Sequence, residues 1–445
     1  MSAFLSSAFF FIVAISVLVA VHEYGHYIVG RWCGMKVLRF SIGFGRPIWS
    51  RVAGEDRTEY RISAIPLGGY VKFLDEREGP VAPEDEGRAF TQRPVPARIA
   101  VLLAGPAFNF LFAIVAYFAL FSYGVPVLTP TLGEVTPGSH ADAAGLRHGD
   151  EIVAVDDRRV GDWESALLAI LETMVDDGRI AMTVNGEDGR ERDVTVVVGE
   201  DAARLTEPGM LFDGLGLAPS RLLAIAGHVT EDGAARAAGI REGDRIVVID
   251  GESIADFADL SRVVSARPGE TVDVAVMRDG RRLSFDVTLA AVVEDGEEVG
   301  RIGIGYWRIR QYAPLAAVGQ SLRQTWDTSI FTVTMFGRML TGDVSLKNIS
   351  GPINIAQYAG SSASAGLDYF LKFLALVSIS LGVINLLPVP ILDGGQIVYQ
   401  TIEGIKGSPL SMRSQILGQQ VGILALLLLM SFAFYNDIAR ILVDK

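Results

Sequence analysis

The sequence predicts a multi-span α-helical membrane protein: four transmembrane helices, a membrane-associated β-region and two α+β domains in tandem. Three observations predict this fold class. Half of the 445 residues are hydrophobic. Several segments reach the roughly 20 apolar residues that a helix needs to cross a bilayer. An internal repeat lies between two of these segments, in a stretch that is far more polar.

The four predicted spans are the most apolar segments of the chain. They are residues 1–30, 98–122, 367–393 and 418–441. A cleaved signal peptide is the alternative for the first span. It is disfavoured because no basic region precedes the apolar run, which also continues well past 15 residues. The third span contains Lys372 near its start and is interrupted by Pro388 and Pro390.

Basic residues near the span ends predict the topology, because cytoplasmic loops carry an excess of lysine and arginine. The connections 31–97 and 394–417 hold these residues and are predicted to be cytoplasmic. The residues concerned are Arg31, Lys36, Arg39, Arg46, Arg93, Arg98, Lys406 and Arg413. Both termini and the polar insert between the second and third spans are therefore expected on the opposite side of the membrane.

The polar insert is strongly acidic. Residues 126–310 contain 35 aspartates and glutamates against 19 arginines and no lysine. This pattern excludes a nucleic-acid-binding surface of the usual basic kind. The single cysteine, Cys33, has no intramolecular partner, so the fold has no disulfide framework.

The internal repeat lies within the acidic insert. Residues 133–160 align without gaps on residues 227–254, with 13 of 28 positions identical. The two copies are separated by a constant offset of 94 residues, a spacing that fits one compact domain per copy. The predicted domains are 127–220 and 221–308. Gly145 and Gly239 follow short Ala-rich helices at positions that require a positive φ.

Two further segments flank the spans. Within 31–97, residues 36–75 alternate like strands and contain Gly43 and Gly45, which predicts a β-region beside the membrane. A peripheral hairpin with purely structural glycines is the alternative. Residues 309–366 are predicted to form an amphipathic juxtamembrane segment, with an ordinary packing helix as the alternative.

The stretch VHEYGHY places three ionisable residues in the first span, where such groups are costly and indicate function. His22 and His26 are four residues apart, so they share one face of a helix and can reach one metal ion. Neutral imidazoles suit Zn²⁺, whose catalytic sites keep three protein ligands and one open position. Glu23, next to the first ligand, is the predicted general base.

A third ligand is missing from this motif. The other histidines, His140, His148 and His228, all lie in the insert, outside the membrane. Asp393, in the proline-interrupted third span, is the strongest candidate, because irregular backbone at membrane depth must line a cavity. The alternative is that Asp393 only caps a helix at the cytoplasmic interface.

These motifs together resemble the site-2 protease family of intramembrane zinc metalloproteases. The resemblance covers essentially the whole chain, and the two repeat copies resemble PDZ domains of the bacterial protease type. It rests on HEYGH (22–26), RFSIGFG (39–45), PLGGYVKFLDER (66–77), AGPAFNF (104–110), NLLPVPILDGG (385–395) and the run AAGLRHGDEIV with its second copy.

The resemblance implies a zinc metalloendopeptidase with His22, His26 and Asp393 as zinc ligands and Glu23 as catalytic base. It also implies substrate-binding roles for Asn385, Gly43, Gly45, Pro388 and Pro390. The substrates it implies are single-span membrane proteins of the anti-sigma-factor type, trimmed beforehand, and remnant signal peptides. The resemblance also implies that the protein lies in a bacterial inner membrane with its PDZ domains in the periplasm. These domains would either exclude substrates by size or bind peptides.

Three other classes of function remain open from the sequence. A membrane-anchored PDZ scaffold would need no metal. A metal transporter would need polar residues in several spans, and few occur beyond the two motifs. A zinc protease for soluble peptides would place its motif on a water-facing helix, whereas here it follows an uncharged apolar run.

Overall fold

The structure is a computed structural model that describes residues 3–443, except 187–188, 208, 220–223, 279, 295–296 and 306–307. The chain forms two compact units. The first comprises Met1–Tyr123, Tyr312–Phe336 and Ile349–Lys445, and the second comprises Gly124–Gln311 and Gly337–Asn348. The predicted boundary between the two repeat copies, at 220–221, lies outside the described residues.

Most elements of the first unit are helices, with one long β-hairpin. In chain order they are α1 (Ala3–Trp32), β1 (Val37–Ala53), β2 (Thr58–Phe73), α2 (Val95–Tyr123), the first part of α9 (Pro314–Thr341), α10 (Pro352–Ala365), α11 (Leu367–Leu386), α12 (Asp393–Lys406) and α13 (Met412–Val443).

The second unit is built of short strands and helices. Its first half contains β3 (Val125–Val127), β4 (Leu132–Val135), α3 (His140–Ala143), β5 (Glu151–Val155), β6 (Arg158–Arg159), α4 (Trp163–Asp177), β7 (Arg179–Asn185), β8 (Glu191–Val197), α5 (Ala202–Leu205), α6 (Met210–Leu215) and β9 (Leu217–Pro219). Its second half contains β10 (His228–Val229), α7 (Ala234–Ala238), β11 (Arg245–Ile249), β12 (Glu252–Ser253), α8 (Phe257–Ser265), β13 (Thr271–Arg278), β14 (Arg281–Thr288), β15 (Ala290–Glu294), β16 (Glu297–Arg301), β17 (Ile304–Gly305) and β18 (Arg308–Arg310).

Four helices of the described chain, α1, α2, α11 and α13, are long and apolar enough to cross a membrane, and they lie where the four spans were predicted. The third span differs in extent, because α11 ends at Leu386 rather than continuing to residue 393. Pro388 and Pro390 lack the N–H that a helix interior needs, and each disfavours a helical conformation at the residue before it. The chain resumes as α12 at Asp393, so much of the predicted connection 394–417 is helical.

Two glycines allow α1 and α2 to approach closely. A Cβ atom at Gly25 would lie 2.4 Å from the carbonyl oxygen of Ala104, and one at Gly105 would lie 2.3 Å from His26 Nε2. Both positions therefore exclude any larger residue unless the helices move apart. The glycine in VHEYGHY is thus explained by helix packing, since it brings α2 against the histidine face of α1.

The predicted juxtamembrane segment 309–366 forms two separate helices, α9 and α10. Helix α10 packs on α1, where Ala359 is buried in one cluster with Leu18 and Phe370. This helix is therefore part of the helical bundle and is fixed by apolar burial.

The hairpin β1–β2 pairs antiparallel in three stretches. Val37–Ile42 lies opposite Gly69–Phe73 and, from Arg39 onward, also opposite Glu59–Ile62, and Trp49–Ala53 lies opposite Thr58–Ile62. The register shifts between them, where Gly43 and Gly45 have φ values of 90° and 86°. Only glycine adopts such values at little cost, so these residues let β1 bend. A β-structure was predicted for this region, and its extent agrees closely with 36–75.

The two repeat copies build matching structures in the second unit. Their four-stranded sheets have the orders β6-β5-β7-β8 and β12-β11-β13-β14, which correspond element by element. Each copy also has its own cluster of buried apolar residues. Gly145 and Gly239 have φ values of 81° and 95°, which confirms the left-handed conformation predicted for both. Assignment of the copies to the PDZ fold remains a prediction.

Candidate metal centre

Three side chains from the two predicted motifs meet within the first unit. His22 Nε2 lies 3.1 Å from His26 Nε2 and 3.2 Å from Asp393 Oδ2, and His26 Nε2 lies 3.4 Å from the same oxygen. Among the described residues, this is the group of histidine, cysteine and acidic side chains that could hold a metal ion. Asp393 thus lies beside two histidines although it follows His26 by 367 residues, and the three side chains together could bind one metal ion.

The geometry of these three atoms fits a zinc ion. Tetrahedral bonds of about 2.0–2.1 Å separate neighbouring ligand atoms by about 3.3 Å, close to the distances found here. Asp393 Oδ2 is buried and has no hydrogen-bond partner. A buried acceptor without a partner is costly unless another group satisfies it. A cation bound by two nitrogens and this oxygen would satisfy it.

Asp393 is positioned by the start of α12. The chain turns back so tightly that a Cβ atom at Gly394 would lie 2.3 Å from the carbonyl oxygen of Leu386, and one at Gly395 would lie 2.2 Å from that of Val389. The N-cap residue of α12 is Leu392, and no side chain caps this end. The alternative of Asp393 as a simple cap therefore finds no support in the geometry. The two glycines after Asp393 are explained by this close turn.

A partly buried ion pair holds α12 against α2. Arg98 Nη2 donates to Glu403 Oε1 at 2.7 Å, and Arg98 is 6% exposed. Both residues lie about one to three helical turns from the ligand cluster along their own helices. The pair therefore fixes the helix that begins with Asp393 against the helix that contacts both histidines. Neither residue was singled out from the sequence as part of the site.

Helix α2 contacts both histidine rings. His26 Nδ1 lies 2.7 Å from the carbonyl oxygen of Val101, and His22 Nδ1 lies 3.2 Å from the side-chain amide of Asn109. These contacts were not predicted from the sequence. A polar residue inside an apolar span was the available signal for Asn109, because such residues are rarely placed there without a function.

Glu23 is buried on α1 beside the first histidine and faces β2. A Cβ atom at Gly69 would lie 3.0 Å from Glu23 Cγ and 2.7 Å from Val19 Cγ1. The paired stretch Gly69–Phe73 therefore runs directly against the predicted base. Glycine at this position allows the strand and the helix to touch.

The residues predicted to bind substrate lie on two elements. Asn385 is near the end of α11 and is partly buried, and Pro388 and Pro390 lie in the turn that leads to Asp393. Gly43 and Gly45 lie in the bend of β1, where a Cβ atom at Gly43 would be 2.8 Å from the carbonyl oxygen of Ser63. The tight backbone at Gly43 explains that glycine sterically. Contact with substrate remains a prediction for all five.

Comparison with known proteins finds a peptidase family and several full-length relatives named as proteases. The family model "Peptidase family M50" matches residues 10–429. The regulator of sigma-E protease RseP from Salmonella typhimurium (strain 14028s) is 41% identical over 97% of this chain and 98% of its own. The protein of the same name from Escherichia coli K12 is 40% identical over the same shares. A protein from Neisseria meningitidis serogroup A, named as a zinc metalloprotease, is also 40% identical over these shares.

One solved structure, an HtrA-type protease with a decapeptide, matches 33% of this chain and 42% of its own at 17% identity. Its TM-score of 0.16 is too low to assign a fold to the repeat copies. The family match and the full-length relatives, by contrast, confirm the resemblance to site-2 proteases that the motifs indicated. The chain belongs to peptidase family M50, the site-2 proteases, and is a zinc metalloprotease.

Proposed function

We propose that this protein cleaves a peptide bond within the transmembrane segment of a single-span membrane protein. His22, His26 and Asp393 would hold the zinc ion, and Glu23 would act as general base. The observation that carries this proposal is that three ligand atoms from helices of the first unit, the membrane unit, lie 3.1–3.4 Å from one another. Two of them stand on α1, whose length and apolarity suit a membrane span.

The chemistry follows from the neighbours of this cluster. A zinc ion held by these residues would supply a Lewis acid and would lower the pKa of a bound water to about 7. Glu23 is one residue from His22, so its carboxylate can take the proton of the attacking water and return it to the leaving amine. Burial of Glu23 keeps bulk water from competing for its hydrogen bonds.

A transmembrane substrate must first be unwound, because its peptide bonds are protected by helical hydrogen bonds. The stretch Gly69–Phe73 supports a role in this step, since it lies beside Glu23 and pairs on one side with Val37–Ile42. An extended substrate segment would add to the sheet by main-chain hydrogen bonds. Gly43, Gly45, Asn385, Pro388 and Pro390 would line the path of that segment.

The physiological substrate we propose is an anti-sigma factor already trimmed outside the membrane, with remnant signal peptides as a second kind. The names of the relatives, regulators of sigma-E protease, support this class. Cleavage would release a cytoplasmic fragment that signals envelope stress. We place the protein in the bacterial inner membrane, with the acidic insert and both termini in the periplasm.

The decisive experiment separates metal binding from catalysis. Glu23→Gln is expected to retain zinc and lose cleavage of a reconstituted single-span substrate, whereas His22→Ala is expected to lose both. Zinc content is measured in the purified protein, and cleavage is followed by gel and mass spectrometry. Full cleavage by Glu23→Gln would refute the mechanism. Preferential cleavage of a soluble peptide would favour the soluble-substrate alternative.

The two repeat copies would act as a size filter that excludes substrates with bulky periplasmic domains. Removal of residues 127–308 is expected to permit cleavage of an untrimmed substrate. The matched control is a substrate that has been trimmed beforehand, which both forms of the enzyme should cleave. Unchanged selectivity after the deletion would contradict the filter and leave peptide binding, or a rigid spacer that binds nothing, as the role of these copies.

A further inference from the structure

The motif AGPAFNF on α2 has a polar residue, Asn109, that the proposed mechanism does not use. Asn109 is 0% exposed, and its side-chain amide contacts Nδ1 of His22 at 3.2 Å. We infer that Asn109 is a positioning residue for His22: its amide oxygen accepts the Nδ1 hydrogen, which leaves the lone pair of Nε2 free for zinc. This inference rests on the proposed ligand role of His22.

His26 shows what such a contact does. Its Nδ1 lies 2.7 Å from the carbonyl oxygen of Val101, and a carbonyl oxygen can only accept a hydrogen bond. The hydrogen of neutral His26 is therefore held on Nδ1, and Nε2 presents its lone pair to the ligand cluster. Hydrogen-bonded second nitrogens of this kind fix both the tautomer and the ring orientation of metal-bound histidines.

The neighbour of His22 Nδ1 is a side chain, the amide of Asn109, rather than a backbone carbonyl. This amide can turn either its oxygen or its NH₂ group toward the ring. With Nδ2 of Asn109 toward His22, the amide donates to Nδ1, so the hydrogen of the neutral ring must be on Nε2. That arrangement leaves Asn109 Oδ1 buried without a hydrogen-bond partner. It also places a hydrogen on His22 Nε2, the atom that lies 3.2 Å from Asp393 Oδ2 and that must offer its lone pair to bind a metal ion.

A half-turn of the amide removes this conflict. Oδ1 then faces His22 Nδ1 and accepts its hydrogen. The lone pair of His22 Nε2 is then free for the metal ion, as are those of His26 Nε2 and Asp393 Oδ2. Zinc binding selects this arrangement, because only the deprotonated Nε2 can ligate. Asn109 therefore completes for His22 the function that the backbone of Val101 performs for His26.

The backbone of Asn109 is itself anchored, which gives the side chain a fixed origin. Ser378 on α11 donates from Oγ to the carbonyl oxygen of Asn109 at 2.9 Å, and Ser378 is also fully buried. Three helices thus meet at this point: α1 with the ligand, α2 with the positioning amide and α11 with the anchor. The contact is built into the bundle and does not depend on a mobile surface group.

The test compares zinc affinities of full-length variants in detergent, measured by competition with a chromogenic chelator. Asn109→Leu keeps the size and removes the acceptor, and it is expected to raise the zinc Kd by about 10- to 100-fold. Asn109→Asp keeps an acceptor oxygen and is expected to stay within a few-fold of the native Kd. The visible spectrum of the Co²⁺-substituted protein should change in Asn109→Leu and be preserved in Asn109→Asp.

Ser378→Ala is the matched control, because it removes a buried hydrogen bond at the same helix contact without removing the acceptor for His22. Its Kd should rise far less than that of Asn109→Leu, because the acceptor for His22 Nδ1 is still present. If Asn109→Leu does not fold, Asn109→Ala takes its place in the comparison with Asn109→Asp. A native Kd in the apolar variant, or equal losses in the apolar and aspartate variants, would overturn the inference.

His22→Ala separates this inference from the proposed function. Loss of zinc in His22→Ala together with a native Kd in Asn109→Leu overturns the positioning role alone. Native zinc binding in His22→Ala overturns the proposed ligand set and the inference with it.

Discussion

Buried carboxylates have different hydrogen-bond partners in the membrane unit and in the acidic insert. In the insert, Asp150 and Asp244 are almost fully buried, and each is satisfied by an arginine and by a backbone N–H three residues before it. In the membrane unit, Asp393 has a buried oxygen with no hydrogen-bond partner, facing two histidine nitrogens. A fully bonded buried acid stabilises a fold, whereas a buried acid with an orphaned oxygen marks a site for a ligand.

In both repeat copies of the insert an arginine binds the buried aspartate, but the two arginines lie on different strands. In the first copy, Arg192 on β8 binds Asp150 and donates to the carbonyl oxygen of Gly145 at 2.6 Å. In the second, Arg278 at the end of β13 binds Asp244 and donates to the carbonyl oxygen of Gly239 at 2.9 Å. The aspartates and glycines repeat at the constant offset of 94, but the arginines come from neighbouring strands of the hairpin.

The membrane unit contains its own fully bonded acid, Asp437 on α13. Its carboxylate accepts hydrogen bonds from the backbone N–H groups of Gly351, Ile353 and Asn354 at 2.9–3.1 Å. These groups belong to the free N-terminal end of α10, which has no side-chain cap of its own. Asp437 therefore provides an internal control for Asp393: both are acids on the same unit, but only one has an orphaned oxygen.

The largest effect is expected from Asp393→Asn. Loss of the charged ligand should abolish zinc binding and reduce cleavage by about a thousandfold or more, about 4 kcal/mol of transition-state stabilisation. The thermal stability of the metal-free protein should not fall, because an unsatisfied buried charge has been removed. Zinc content, cleavage and thermal unfolding with chelator measure the three quantities.

Asp437→Asn is the control for that experiment and is expected to give the opposite result. Zinc should be retained, and the melting temperature should fall because charge-assisted hydrogen bonds to three backbone groups are weakened. Loss of zinc in Asp437→Asn with retention in Asp393→Asn would reverse the distinction between the two acids.

An intermediate effect is expected from breaking the arginine contacts of the insert. Arg278→Met should destabilise the second copy by about 2–3 kcal/mol, because Asp244 is left buried without its charged partner. Arg192→Met should do the same to the first copy. Hydrogen exchange of strands β13 and β7 locates the loss in the matching copy.

Zinc content serves as the control for the arginine variants and should be native in both, since neither arginine lies in the membrane unit. If each substitution weakened both copies equally, the two copies would form one cooperative unit, contrary to their separate apolar clusters.

The smallest effect is expected at Asp162, the N-cap of α4. Burial alone would raise the pKa of this carboxyl, but hydrogen bonds from Ser165 and the nearby Arg310 hold the pKa below its usual value. A carboxyl with a lowered pKa contributes stability above its unfolded-state pKa of about 4, and this is lost as pH falls through the lower folded-state value. Asp162→Ala should therefore destabilise the first copy by about 1 kcal/mol at pH 7.

The pH dependence tests this assignment. The difference between Asp162→Ala and the native protein should shrink as the pH falls below about 4, as measured by hydrogen exchange or chemical denaturation. A difference that is constant from pH 7 to pH 3 would mean that the ionised form of Asp162 does not contribute.

Sequence alone determined the parts of this protein that depend on local periodicity and composition. The four spans follow from apolar length, and His22 and His26 share a face because four residues make about one helical turn. Family membership and zinc followed from the motifs. Asp393 could be named by elimination, because few ionisable residues occur in the apolar segments.

Tertiary structure decided what depends on contacts between distant segments. It ends α11 at Leu386, starts a new helix at Asp393, and places Gly69 against Glu23 and Asn109 against His22. None of these pairs is close in sequence, so no local pattern records them. The physical reason is that a metal site needs its ligands and their hydrogen-bond partners to converge in space, and that convergence is produced by the packing of whole helices.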